Sequence, residues 1–213
     1  AYSGGGIFSG TADVAFGAQI PADGVVKNFY DGQMDEARIW SEARTAAQIA
    51  DNMNKVIENP TAETTLEGYW TFEDAADGTV ADLSGNGNTA TVGHGAPSDP
   101  FAPVLHFDGV DDFVNASPPG TLATGTGDFT YQAWIRTDSA TAQTILSIGS
   151  AATDQSTLFK VDTSGALALN LYGTAGAIST TAVNDGDWHH VAVVNSGGSM
   201  QLYVDGTADG AAV

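Results

Sequence analysis

From residue 104 onward the chain repeats one pattern, short runs of alternating character that each end in a cluster of Gly, Asp, Ser or Asn. The runs are VLHFDGVDDFVNA (104–116), FTYQAWIR (129–136), QTILSIGS (143–150), STLFKVD (156–162), ALALNLYG (166–173), WHHVAVVN (188–195) and MQLYVDG (200–206). A period of two sends successive side chains to opposite faces, so each run can bury only one face. Short strands joined by tight turns must bury that face against a second sheet. The pattern therefore predicts an all-β sandwich of two antiparallel sheets.

The first half of the chain reads differently. IFSGTADVAFGAQI (7–20) alternates loosely, PADG (21–24) is a turn, and FYDGQMDEARIW (29–40) is a strand with Met34, Ala37 and Ile39 apolar and Trp40 at its end. Over SEARTAAQIADNMNKVI (41–57) the period changes. Ser41 can cap, Ala46, Ile49, Ala50, Met53 and Ile57 recur at helical spacing, and Pro60 lies just beyond, so one short helix is expected. LEGYWTFED (66–74) is a further strand, and ADLSGNGNTATV (81–92) is a loop leading into another. GHGAPSDPFAP (93–103) has proline without periodicity and reads as a linker.

Composition narrows the function classes. Twenty-six acidic residues against six basic ones give a formal net charge of −20, which repels phosphate backbones and anionic lipid. Nucleic-acid binding and membrane insertion are not expected, whereas divalent cations suit such a surface. The chain has no cysteine, so disulfides and thiol chemistry are excluded, and a secreted bacterial origin is favoured over an animal extracellular one. The opening AYSGGG reads as the interior of something longer.

Two sets of motifs carry a family resemblance. FDGVDDFV, FTYQAWIR, DGDWHHVAVV and MQLYVDG resemble the first half of a laminin G-like domain of the concanavalin A-like lectin/glucanase superfamily. FYDGQMDEARIWSEARTAAQI, GYWTFED and DLSGNGNTATV resemble its second half, and DEARIW followed by a helix is similar to the end of the related pentraxin fold. The resemblance implies one sandwich over 1–213 in circularly permuted order: 1–92 as the closing half, 93–103 as linker and 104–213 as the opening half. Such a chain would be one repeat of a tandem array cut inside its domains. The linker reaches about 35 Å when extended, so closure within one chain is expected, with residues 1 and 213 close and the strand of Trp40 in the same sheet as 105–108. Exchange of halves between neighbouring repeats is the alternative.

The most chemical stretch is DLSGNGN (82–88), with oxygen-bearing side chains at Asp82, Ser84, Asn86 and Asn88. Calcium takes six to eight oxygens, and alternating donors between glycines can supply them. Asp82, Asn86 and Asn88 are the expected ligands, with Asp35 or Glu73 adding charge; a plain Asn-Gly turn is the competing reading. Asp108, Asp111 and Asp112 form a second acidic cluster; turn chemistry explains Asp108 and Asp111, and a metal role is the alternative. His189 and His190 are adjacent on a strand, point to opposite faces and cannot chelate one ion. Trp40, Trp70, Trp134 and Trp188 lie in strands and are expected in the core, which leaves Tyr30, Tyr172 and Phe101 as the aromatics free to meet a ligand.

Paired carboxylates at glycosidase spacing on one strand are missing, as are the nucleophile-elbow, phosphate-loop and dinucleotide fingerprints. The expected function is a calcium-binding, non-catalytic recognition or adhesion module from a large repetitive bacterial protein, secreted or at the cell surface. Its partners would be carbohydrate or a cell-surface glycan and neighbouring repeats. A structural spacer repeat and a glycosidase of the same fold are the alternatives.

Overall fold

A computed structural model describes residues 13–21, 25–75, 78–93, 104–116, 127–149, 156–171 and 174–213. In chain order the elements are β1 (Asp13–Phe16), β2 (Asp31–Trp40), α1 (Ala46–Asn52), β3 (Leu66–Trp70), β4 (Thr79–Val80), β5 (Ala90–Gly93), β6 (Leu105–Asp108) and β7 (Phe113–Ala116). They continue with β8 (Phe129–Arg136), β9 (Gln143–Gly149), β10 (Ser156–Val161), β11 (Ala166–Leu171) and β12 (Thr174–Ala182). The last are β13 (Trp188–Ser196), β14 (Ser199–Val204) and β15 (Thr207–Asp209).

Two antiparallel sheets face each other. One has eight strands in the order β12-β11-β10-β9-β1-β7-β5-β4. The other has seven: β15-β14-β13-β8-β2, after which β2 shares its far edge between β6, along 31–34, and β3, along 37–40. The all-β sandwich read from the alternation is the observed fold. Strands from the first half are interleaved with strands from the second: β1 lies between β9 and β7, and β2 between β8 and β6. The strand of Trp40 therefore shares a sheet with 105–108 inside one chain. Residue 1, and the linker beyond Gly93, fall outside the described residues.

The core follows from the period. Phe129, Tyr131, Ala133 and Ile135 of β8 and Val191 and Val193 of β13 all point inward, against Phe16, Trp70, Phe107 and Leu146 from the other elements. Trp70 meets Phe16 edge-on at 5.1 Å and Tyr30 meets Phe107 at 5.8 Å, an arrangement aromatic quadrupoles favour. Gly17 is required where β1 ends: its φ is +80°, and a Cβ there would lie 2.2 Å from the Phe107 ring.

The helix is shorter than its period suggests. It runs from Ala46 to Asn52 and is capped by Thr45, not Ser41, through a reciprocal box with Gln48. It stops because other groups claim the carbonyls that follow: Asn52 and Lys55 accept from Arg38, and Met53 accepts from Trp134. Ile49 packs the helix on the outer face of the seven-stranded sheet, against Ala192, Val194 and Tyr203. No helix among the described residues is long and apolar enough to cross a membrane.

Candidate functional site

Beside the helix, the outer face of the seven-stranded sheet holds a groove of about 450 Å³. Its position follows from strand parity. With Ile135 and Ala133 inward, Trp134 must face out, and with Val191 inward, His190 and Trp188 do too. On β2 the alternation breaks: Met34 and Ala37 are both in the core, and the pairing with β8 shifts between Asp35 and Arg38. Glu36 sits in this bulge at φ +53°, a strained conformation for a non-glycine residue. The extra residue brings both Asp35 and Arg38 to the outer face, with Asp35 directly opposite Trp134. The groove is thus lined by Trp134, Trp188, Asp35, Glu36, Glu73 and Lys55, and the segment after the helix forms a wall.

Buried Arg38 fixes that wall. Its guanidinium pairs with the Glu36 carboxylate, donates to the Asn52 carbonyl at 3.2 Å and to the Lys55 carbonyl at 2.6 Å, and lies over the Tyr69 ring at 5.1 Å. Glu36 also accepts from the Tyr69 hydroxyl at 2.7 Å, so its side chain is held by two partners. Trp134 Nε1 donates to the Met53 carbonyl at 2.7 Å, a second tie between sheet and wall. Burial, reinforced by the charges of Glu36 and Glu73, pushes the Asp35 carboxyl up to about 7 against the pull of the Glu36 amide and Arg38. Beneath Trp134, burial and the Arg38 charge push His190 down to about 4. It stays neutral, edge-on to the indole at 5.5 Å.

The 82–88 loop lies elsewhere. Asp82 accepts from the backbone amides of Tyr69, Ser84 and Asn88 at 2.9–3.1 Å. Asn86 donates to the Leu66 carbonyl at 2.8 Å, and Asn88, itself buried, donates to the Glu67 carbonyl at 2.7 Å. Trp70 Nε1 closes the set on the Asn88 carbonyl at 3.0 Å. These side chains stitch the loop to β3, and Asp82 already uses both of its oxygens. Asp35 and Glu73, expected to complete that loop, instead come together in the groove, whose lining includes none of 82–88.

Converging carboxylates are found one turn away from β6. Oxygens of Asp108, Asp111 and Asp112 lie within 4.8 Å of one another. Asp112 is buried and accepts from the Asp108 amide at 2.8 Å, while Asp108 accepts from the Val110 amide at 2.8 Å. Three carboxylates thus face one another, a donor set of the oxygen type that a hard cation takes.

The other predicted residues sort plainly. His189 and His190 have separate partners: His189 lies between Asp205, at 2.9 Å, and Asp185, at 3.1 Å, while His190 packs on Trp134. Trp40 and Trp70 are core, as expected, but Trp134 and Trp188 are only half-buried and line the groove. Tyr30, expected at the surface, is fully buried because its ring packs on Phe107; Tyr172 and Phe101 lie outside the described residues. The signal for Trp134 was present in the sequence. In FTYQAWIR the apolar set at 129, 131, 133 and 135 excludes Trp134 from the core face.

In a comparison with known protein families, residues 108–213 match the family model described as the concanavalin A-like lectin/glucanases superfamily. The matched stretch runs from the Asp108 turn through β15 and contributes Trp134 and Trp188 to the groove. Neither a curated protein nor a solved structure matches the chain.

Proposed function

Because residues 108–213 belong to the concanavalin A-like lectin/glucanase superfamily, we propose that this chain is a carbohydrate-binding module whose ligand lies on Trp134 and Trp188. The observation that carries this reading is the pairing of two half-buried indoles with Asp35 and Glu73 in one groove. A pyranose has an apolar face and a hydroxyl rim. Indole rings meet the first, and carboxylates accept from the second. The wall tied down by Arg38 and Trp134 keeps these groups in place before the ligand arrives, which reduces the ordering cost of binding. In the same reading the module works outside the cell, within a larger adhesive protein. Calcium at Asp108, Asp111 and Asp112 holds the β6–β7 turn instead of touching sugar.

The test is retention on a panel of immobilised polysaccharides, with wild type beside Trp188→Ala. The reading expects at least one polysaccharide to retain the wild type and to release the variant at unchanged thermal stability. Absence of retention across the panel supports a spacer repeat.

One observation favours a second reading, glycoside hydrolysis. A carboxyl that titrates near 7 beside other carboxylates is what a general acid requires. Against it, Glu36 is committed to Arg38 and Tyr69. Release of reducing ends from any polysaccharide of the panel, lost in Asp35→Asn, would replace the binding reading with this one.

A further inference from the structure

A second cavity of about 300 Å³ lies on the same sheet and is lined by Gln33, His106 and Arg136, with Asp31 and Asp138 at its rim. Parity puts these side chains on the outer face, since Met34, Leu105, Phe107 and Ile135 are all in the core. One row of cross-strand partners joins the two cavities: His106 opposes Gln33, Gln33 opposes Arg136, and Arg136 opposes Trp188. That row crosses β6, β2, β8 and β13, three inter-strand steps or about 14 Å. That span is longer than one sugar ring.

Its two ends differ in chemistry. The Trp134–Trp188 end offers indole faces, while the lining of the other end has no Trp, Tyr or Phe and offers an amide, an imidazole, a guanidinium and two carboxylates. Planar hydrogen-bonding groups in the absence of an indole suit hydroxyls at the rim of a sugar. These groups are also held in place. Arg136 Nε donates to the Gly186 carbonyl at 2.6 Å, and Thr137 donates to the Asp31 carbonyl at 2.6 Å, fixing both rims.

Resting on the carbohydrate reading above, we propose that the His106–Arg136 cavity is a second subsite and that the ligand is a linear oligosaccharide chain running across β6, β2, β8 and β13. The module thereby selects the interior of a polymer over a terminal sugar.

Calorimetric titration with cello-, chito- and laminari-oligosaccharides, from disaccharide to hexasaccharide, tests this. The expected result is a rise in affinity of about tenfold or more between disaccharide and hexasaccharide in one series. His106→Ala and Arg136→Gln should each weaken the hexasaccharide while leaving the disaccharide unchanged. Should Arg136→Gln loosen the Gly186 turn and lower thermal stability, His106→Ala, at an exposed position, decides the matter. Equal affinities along a series that still depends on Trp188 overturn the second subsite and leave the carbohydrate reading standing. A length preference indifferent to both variants also overturns the subsite. Absence of binding by every series overturns both.

Discussion

Replacing Arg38 with methionine keeps most of the side-chain volume and removes the charge. Arg38 is 2% exposed and its partner Glu36 is 15% exposed, so the substitution strands a carboxylate in a nearly dry site. Removing one partner of a buried ion pair costs about 3–5 kcal/mol. The Asn52 and Lys55 carbonyls lose their donor in the same step, and these losses overlap because one guanidinium serves all three acceptors. For a domain of this size each kcal/mol moves the thermal midpoint by about 2–4 °C, so a fall of about 6–20 °C is expected. Calorimetry or circular dichroism reads it directly. The double variant Arg38→Met/Glu36→Gln should recover part of the loss, since no charge is then stranded. A fall under about 2 °C, or strict additivity of the two single substitutions, would refute the view that this pair anchors the groove wall.

Four further outcomes are expected. Burial lowers the pKa of His189, but the Asp205 and Asp185 carboxylates outweigh it and the net shift is upward. Its contribution to stability is thus full below the ordinary value of about 6.5 and is lost as pH rises through the folded value; the midpoint of His189→Gln should lack that decline. Asp35 titrates near 7 when folded against an ordinary 3.8, so folding binds a proton between these values and stability falls as pH rises across them. Asp35→Asn should therefore raise the midpoint at pH above that window and leave it unchanged below. Asp82→Ala, which frees three backbone amides, should lower the midpoint equally in calcium and in chelator. Asp111→Asn should instead abolish a calcium-dependent gain, about 2.7 kcal/mol at a hundredfold excess over Kd; the opposite assignment would move the ion to the 82–88 loop.

Much of the fold was legible because strand periodicity reports burial directly. FTYQAWIR and QTILSIG are strands with the predicted bounds at nearly every residue, and their inward sets are the core. The helix was legible in kind and too long in extent, since its period cannot reveal that a buried arginine from another strand will claim its last carbonyls. The groove was harder to read. Asp35 and Glu73 stood out as chemistry-bearing residues, but that they meet in this groove was not legible, because contact between β2 and the segment after β3 is a tertiary matter. One local clue existed: apolar residues at 34, 37 and 39 break the period of two, and that odd step is the bulge that turns Asp35 outward. Asp82, Asn86 and Asn88 have the composition of a metal loop and of a turn alike. Only their bonds to backbone, Asp82 to amides and the two asparagines to carbonyls, distinguish the uses.

The central claim is that ligand lies on Trp134 and Trp188. The indole N–H resonances of the four tryptophans report it most directly, followed in a heteronuclear NMR titration with a glycan that the module retains. Trp40 and Trp70 are buried, at 3% and 0% exposure, whereas Trp134 and Trp188 face the groove. The account predicts shifts for the two groove indoles, with the buried pair nearly still. Movement confined to the resonances of 82–88 or 108–112, with all four indoles unchanged, would contradict it.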